Sequence, residues 1–186
     1  MAKRKLKDQE IRCATQQVLV SRTDVEGNIV YCNPTFLEVN GFKSSEVVRK
    51  PHNILRHPDM PKSIFRIIWS IIGQGLPIQA VIKNKANDGQ FYWTLMTIKP
   101  QKDRDNKIIS YVAHGKQAPD AVIKTMEPLY KIMLEIEQEL DIESALEYLE
   151  SHLAEENMTY AQYMKHLTKN REFRCLCDII KHAILR

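Results

Sequence analysis

The chain has 186 residues, 44% of them hydrophobic and 27% charged, which is an ordinary composition for a globular domain with a hydrophobic core. No apolar run approaches the ~18 residues that a membrane-spanning helix needs, so we expect no direct membrane span. The net charge of +4 is unevenly divided, because residues 1–120 carry 19 basic and 11 acidic residues and residues 121–186 carry 8 and 12. The basic residues are scattered and accompany no nucleic-acid-binding motif, so no nucleic-acid partner is expected.

Residues 1–16 form a basic N-terminal cap in this interpretation. The segment has no apolar stretch of the kind that follows the basic residues of a secretory signal. We therefore expect a soluble cytoplasmic protein with four free cysteine thiols.

The first predicted elements are the two strands of a hairpin. "QVLVSRT" (17–23) and "IVYCN" (29–33) read as strands, and Gly27 lies in the turn between them. A short helix follows, with Asn33 as its cap, Pro34 in its first turn and Gly41 at its end.

The next predicted helices flank a polar loop. "KSSEVVRK" starts a helical turn, with Ser44 or Ser45 as its cap. The loop "PHNILRHPDMP" (51–61) follows, and then a helix in which isoleucines recur at helical spacing from Ile64 to Ile72.

Three further strands are predicted after this helix: "IQAVIKNK", "QFYWTLMTIKPQ" and "IISYVAHGKQ". The turns "ANDG" and "KDRDNK" separate them and favour hairpins. The order predicts an α+β domain over 17–118, with a five-stranded antiparallel sheet and short helices on one face.

A helical region is predicted after Pro119. Apolar residues in 119–141 step by 4, 3, 4, 3 and 4, which is a heptad seam typical of paired helices, although Pro128 should kink or restart the helix. We call these residues the seam: Val122, Met126, Leu129, Met133, Ile136 and Leu140. The seam predicts either self-association, as a homodimer through 122–140, or receptor docking. Residues 142–186 read as a C-terminal helical region with three amphipathic faces.

The loop 51–61 has two interpretations from its chemistry. Arg56 offers five donors, His57 can donate or accept, Asp59 can accept, and the prolines restrict the backbone, as a ligand-binding loop requires. Alternatively, Asp59 caps the helix that starts near Pro61, and the other two side chains satisfy nearby carbonyls.

Five stretches in 27–115 resemble the PAS domains of bacterial aerotaxis receptors and of soluble PAS subunits that partner a membrane chemoreceptor in energy taxis. They are "YCNPTFLEVNGF", "PHNILRHPDMP", "IIWSIIGQGLP", "VIKNKANDGQFYW" and "VAHGKQAPDAV". The resemblance implies a PAS fold that binds FAD. The run from Pro51 to Pro61 carries it most specifically, because generic PAS domains lack that run.

The resemblance also implies the site. The loop residues Arg56, His57 and Asp59 lie at positions that hold FAD in this family, and Trp69 matches a family aromatic. The fold would place further polar groups around the same cavity: Asn33, His52, Asn53 and Asn84. One departure is Ile78, where these receptors commonly carry a tryptophan.

The functional hypothesis is a redox or energy sensor that binds FAD and signals to a chemoreceptor partner. The alternatives are a haem or small-molecule sensor, with His114 as the candidate iron ligand, and a cofactor-free interaction module. A metal site at Cys175, Cys177 and His182 is disfavoured, because a structural zinc site needs four ligands. No P-loop, kinase motif or nucleophile elbow is found, so we expect no enzymatic activity.

Overall fold

The computed structural model describes residues 6–14 and 16–169. Its strands are β1 (Leu19–Thr23), β2 (Ile29–Cys32), β3 (Ile78–Lys85), β4 (Phe91–Lys102) and β5 (Ile108–Gln117). Its helices are α1 (Pro34–Asn40), α2 (Ser44–Val47), a 3-10 helix (His52–Leu55), α3 (Lys62–Gly73), α4 (Asp120–Glu139) and α5 (Ile142–Glu155). Residues 160–169 are also helical. None of the helices in this part of the chain is long and apolar enough to cross a membrane.

The five strands form one antiparallel sheet in the order β2-β1-β5-β4-β3, which confirms the predicted architecture. Helix α1 begins and ends at the residues predicted from the sequence. The Asn33 side chain accepts a hydrogen bond from the Phe36 amide at the start of α1, and Gly41 ends the helix with a φ of 63°. At α2, however, the N-cap position is taken by Lys43 rather than by Ser44 or Ser45.

The C-terminal helices pack on the sensor domain of the same chain. Four seam residues of α4 are buried in a cluster that also contains residues of α3, β3 and α5: Val122, Met126, Leu129 and Met133. Tyr130 of α4 donates its hydroxyl hydrogen to the Val81 carbonyl of β3 at 2.9 Å.

This packing shows what covers the seam within the chain, and the homodimer through 122–140 stays a prediction. The seam contacts α5 and the sheet, because an intrachain helix can satisfy a heptad pattern as well as a partner's helix can. Pairing through the buried seam residues would require α5 to leave. Leu140 is the exception, at 71% exposed.

The helix does not restart at Pro128, because α4 runs unbroken from Asp120 to Glu139. A proline removes one helical hydrogen bond and crowds the preceding turn. The buried residues on either side of it, Met126 and Leu129, hold both halves of the helix on the same core.

Candidate functional site

The loop 51–61 lies along the free edge of the sheet. Arg56 forms an isolated antiparallel bridge with Asn84 of β3, and the His57 amide donates to the Lys83 carbonyl at 3.4 Å. The Lys83 amide donates to the Met60 sulfur at 3.3 Å. Strand β3 is the edge strand of the sheet. The loop therefore covers that edge, and its pairing with β3 fixes the orientation of the loop.

A cavity of about 340 Å³ lies between the sheet and the helices, which is within the size range of small-molecule sites. Four adjacent strands supply two residues each to its floor: Ser21, Thr23, Tyr111, Ala113, Met96, Ile98, Ile82 and Asn84. The opposite wall comes from α3 and from the segment around the 3-10 helix: Phe65, Ile68, Trp69, Ile72, Pro51, His52, Asn53 and Arg56. Glu26 and Gly27 complete the lining.

Arg56 brings a cation to this cavity. Its guanidinium carbon lies 5.5 Å from the centroid of the Phe65 ring. Its side chain makes no hydrogen bond or ion pair with any residue that the structure describes. Five donors beside an apolar cavity, without a protein acceptor, suit an anionic or carbonyl group of a ligand.

Two other polar groups of the lining, Asn84 and His52, are buried and half-buried, respectively. Asn84 is 4% exposed and donates to the Thr94 hydroxyl at 3.2 Å. His52 Nε2 lies 3.0 Å from the Ser21 hydroxyl, and burial lowers the pKa of His52 to about 4. His52 is therefore neutral near pH 7 and braces the 3-10 helix against β1.

Trp69 closes one side of the cavity. Its ring stands nearly perpendicular to Tyr111, with the centroids 5.5 Å apart, and 41% of the residue remains exposed. A Cβ atom at Gly27 would lie 2.9 Å from the Trp69 ring, and Gly27 has a φ of +87°. The turn therefore requires glycine both for its backbone angle and for the approach of the indole.

The structure separates the predicted site residues into two groups. Five of them line the cavity: Arg56, His52, Asn53, Trp69 and Asn84. Asn33, His57 and Asp59 do not. The side chain of Asn33 is used within the fold, because it caps α1, accepts from the Val20 amide and donates to the Val18 carbonyl.

His57 and Asp59 belong to a different cluster, next to β3. The Lys83 ammonium lies 2.6 Å from an Asp59 carboxylate oxygen and 3.8 Å from Glu127 of α4. His57 is 5% exposed and packs edge-on against Phe91. Burial lowers the pKa of His57, and Asp59 opposes that shift. The alternative that Asp59 caps α3 is also wrong, because Asp59 pairs with Lys83 instead.

The remaining sequence predictions have simple structural outcomes. His114 is exposed on the sheet face opposite Tyr111 and Ala113, so strand alternation directs it away from the cavity. Ile78, at the position of the family tryptophan, is 3% exposed in the core and does not line the cavity. Cys175, Cys177 and His182 lie outside the described residues, within which no metal-binding group of side chains occurs.

Several lining residues were not predicted from the sequence, among them Ser21, Thr23, Phe65 and Tyr111. Alternation along β1 could have identified the first two, because residues 19, 21 and 23 face the same side of the sheet. The complete lining is a mainly apolar slot with an unpaired guanidinium and several polar groups. This donor set fits a flavin, whose fused ring is apolar on its faces and polar along one edge.

Comparisons with known proteins agree with this fold. The family described as the PAS fold matches residues 29–114. The aerotaxis receptor of Escherichia coli is 37% identical over 120 residues, which cover 64% of this chain and 24% of that protein. The bacterioopsin transcriptional activator of Halobacterium salinarum is 30% identical over 112 residues, 60% of this chain and 17% of that protein. The chain thus spans a quarter or less of the length of these relatives.

Solved structures of similar fold include the blue-light photoreceptor Aureochrome1 LOV in its dark state. The similarity has a TM-score of 0.54 at 22% identity and covers 63% of this chain and 87% of that one. Together with the five-stranded sheet and the family match over residues 29–114, this shows that the chain contains a PAS fold, and the chain is similar in sequence to the aerotaxis receptor of Escherichia coli.

Proposed function

We propose that this chain is a redox sensor that binds FAD in the PAS cavity and signals to a membrane chemoreceptor or another signalling protein. The observation that carries the proposal is the unpaired Arg56 guanidinium beside a mainly apolar cavity of about 340 Å³. The similarity to an aerotaxis receptor over 120 residues of the chain supports it.

Within this proposal, Arg56 binds the phosphate-bearing arm of the cofactor, because a guanidinium pairs strongly with phosphate. Asn84 lies at the same end of the cavity as Arg56 and offers a further amide to that arm, and the isoleucines of α3 pack on the face of the flavin ring. The bound flavin would supply a charge that changes with the redox state of the cell. The chain's own residues must then carry the resulting displacement to a surface.

Helix α3 is the first element suited to that role. One side of it lines the cavity through Phe65, Ile68 and Trp69. Its first turn is held by Glu137 of α4, whose carboxylate accepts from the Lys62 amide, the Ser63 amide and the Ser63 hydroxyl at 2.7–2.9 Å. Arg66 of α3 also pairs with Glu143 of α5. A shift of α3 therefore displaces α4 and α5.

The loop 51–61 provides a second connection to α4. Arg56 lines the cavity, while Asp59, three residues later, pairs with Lys83. The same ammonium lies 3.8 Å from Glu127 of α4. Helix α3 and the loop 51–61, which both line the cavity, are thus linked to α4. We propose that the exposed faces of α4 and α5 contact the partner.

The haem alternative has little support from the site. His114 points away from the cavity. The Nε2 atom of His52 already forms a hydrogen bond with the Ser21 hydroxyl. A cofactor-free interaction module remains the second candidate, and the colour of the protein distinguishes it from the flavoprotein.

The test is an absorption spectrum of the full chain purified without added cofactor, followed by analysis of the molecule released on denaturation. We expect flavin absorption in the blue and release of FAD. Folded protein that stays colourless after incubation with FAD would reject the proposal that the chain binds flavin. A haem absorption spectrum would support the haem alternative instead.

A further inference from the structure

The Thr23 hydroxyl is an unpaired polar group in the wall of the cavity. Thr23 is 7% exposed, and its Oγ1 atom is buried with no hydrogen-bond partner in the part of the chain that the structure describes. Two other hydroxyls on the same sheet face are paired. Ser21 contacts His52, and Thr94 donates to the Ile82 carbonyl at 3.3 Å. An unpaired buried hydroxyl is destabilising, so its presence in a cavity wall calls for an external partner.

The position of Thr23 distinguishes it from the other polar groups of the cavity. It lies on β1 directly opposite Tyr111 of β5, at an irregularity in the β1–β2 register. The hydroxyl hydrogen rotates about the Cβ–Oγ1 bond. It can therefore be directed to a ligand acceptor without repacking the wall.

Arg56 and Asn84 lie at the other end of the floor, on the β3 side. Three strand spacings separate β1 from β3, which is roughly 14 Å across the sheet. One small ring cannot reach both ends, whereas a fused ring with a long anionic arm can. The anionic arm is favoured at the Arg56 end, because Arg56 supplies a positive charge there.

Resting on the proposed function, we infer that the Thr23 hydroxyl hydrogen-bonds the flavin ring system and that Arg56 binds the phosphate-bearing arm. Thr23 is thus a specificity-determining residue for the ring itself. The assignment predicts that the two residues respond differently to ligands with and without phosphate.

The binding test uses riboflavin and FAD as probes with the full chain. Thr23→Val should weaken the binding of both ligands by the same factor, about three- to tenfold for one neutral hydrogen bond, whereas Thr23→Ser should bind like the wild type. Arg56→Gln should weaken FAD by tenfold or more and riboflavin much less. Unchanged affinity in Thr23→Val, or a loss for FAD alone, would overturn the assignment.

A stability measurement without flavin tests the unpaired hydroxyl independently. Thr23→Val should keep or raise the melting temperature of the apoprotein, because it replaces an unsatisfied hydroxyl with a methyl group of the same shape. The matched control Thr94→Val should lower it, since that hydroxyl is paired and fully buried. A lower melting temperature for Thr23→Val would show an internal partner and reject the inference.

The two proposals fail in different ways. If the wild-type protein binds neither FAD nor riboflavin, the proposed function is rejected. The contact between Thr23 and the flavin ring is then rejected as well. Wild-type protein that binds FAD, with an equally tight Thr23→Val variant, rejects the role of Thr23 alone.

Discussion

Glu137 of α4 caps helix α3 through Ser63, although the two residues are 74 positions apart in sequence. One carboxylate oxygen of Glu137 accepts from both the backbone amide and the hydroxyl of Ser63, each at 2.7 Å. The residue at the N-cap position of α3, Pro61, has no side-chain group that could accept these bonds. The C-terminal helices therefore complete an element of the PAS core, and the cavity wall depends on them.

The first prediction concerns this cap. Glu137→Ala should lower the free energy of unfolding by about 1–2 kcal/mol, because it leaves two amides at the start of α3 without their acceptor. Denaturant unfolding measures the loss. Glu139→Ala is the matched control, since Glu139 is exposed on the same helix. Equal stability of the two variants would show that the cap contributes nothing.

The second prediction separates two residues of the loop 51–61. Arg56→Ala should lower the affinity for FAD about ten- to hundredfold, with little change in stability, because the side chain contacts the cavity and no described acceptor. His57→Ala should mainly lower stability, by about 1–3 kcal/mol, since His57 is buried against Phe91 outside the cavity.

Titration at limiting FAD and thermal unfolding of both variants measure these effects. If His57→Ala lost as much affinity as Arg56→Ala while remaining fully stable, the cavity lining would not identify the residues that bind the cofactor.

The third prediction concerns pH. Burial lowers the pKa of His52 to about 4, below its ordinary value of about 6.5, so the unfolded chain binds a proton that the folded chain does not. The titration of His52 therefore leaves the free energy of unfolding unaffected above pH 6.5. As the pH drops from 6.5 towards 4, this group lowers the free energy of unfolding by at most about 3 kcal/mol. The pKa of His57 is lowered as well and adds to the loss.

Unfolding free energies measured between pH 7 and pH 4 test this dependence. His52→Gln should flatten the profile. An unaltered slope in His52→Gln would mean that the pKa of His52 is the same in the folded and unfolded chains.

The fourth prediction concerns the seam of α4. Met133→Glu should destabilise the packing of α4 and α5 strongly, by about 3 kcal/mol or more, because Met133 is fully buried among apolar residues. The adjacent Ile132, 40% exposed, should tolerate glutamate with little effect on stability. Thermal unfolding and sedimentation of both variants report folding and assembly. A folded Met133→Glu protein with an altered oligomeric state would restore the interpretation of the seam as an interface.

The sequence by itself determined the elements and their order. Strand alternation, the turn glycines and the Asn33 cap act between residues close in the chain, so their effects are readable locally. The same holds for the pairs β1–β2, β3–β4 and β4–β5, because short turns such as "ANDG" favour hairpins, whereas the pairing of β1 with β5 joins distant parts of the chain.

Tertiary structure decided which polar residues of the loop 51–61 face the cavity. Arg56 lines it, whereas His57 and Asp59 lie beside Lys83, because neighbouring side chains on extended backbone point in different directions. The loop acquires that orientation only by pairing with the edge of β3.

Tertiary structure also decided what covers the seam of α4 and which residue caps α3. A heptad pattern specifies that an apolar face must be covered, but not whether the cover belongs to the same chain, and here α5 and the sheet supply it. Likewise, an uncapped helix start such as Lys62 and Ser63 requires an acceptor, and only the folded chain brings Glu137 to it.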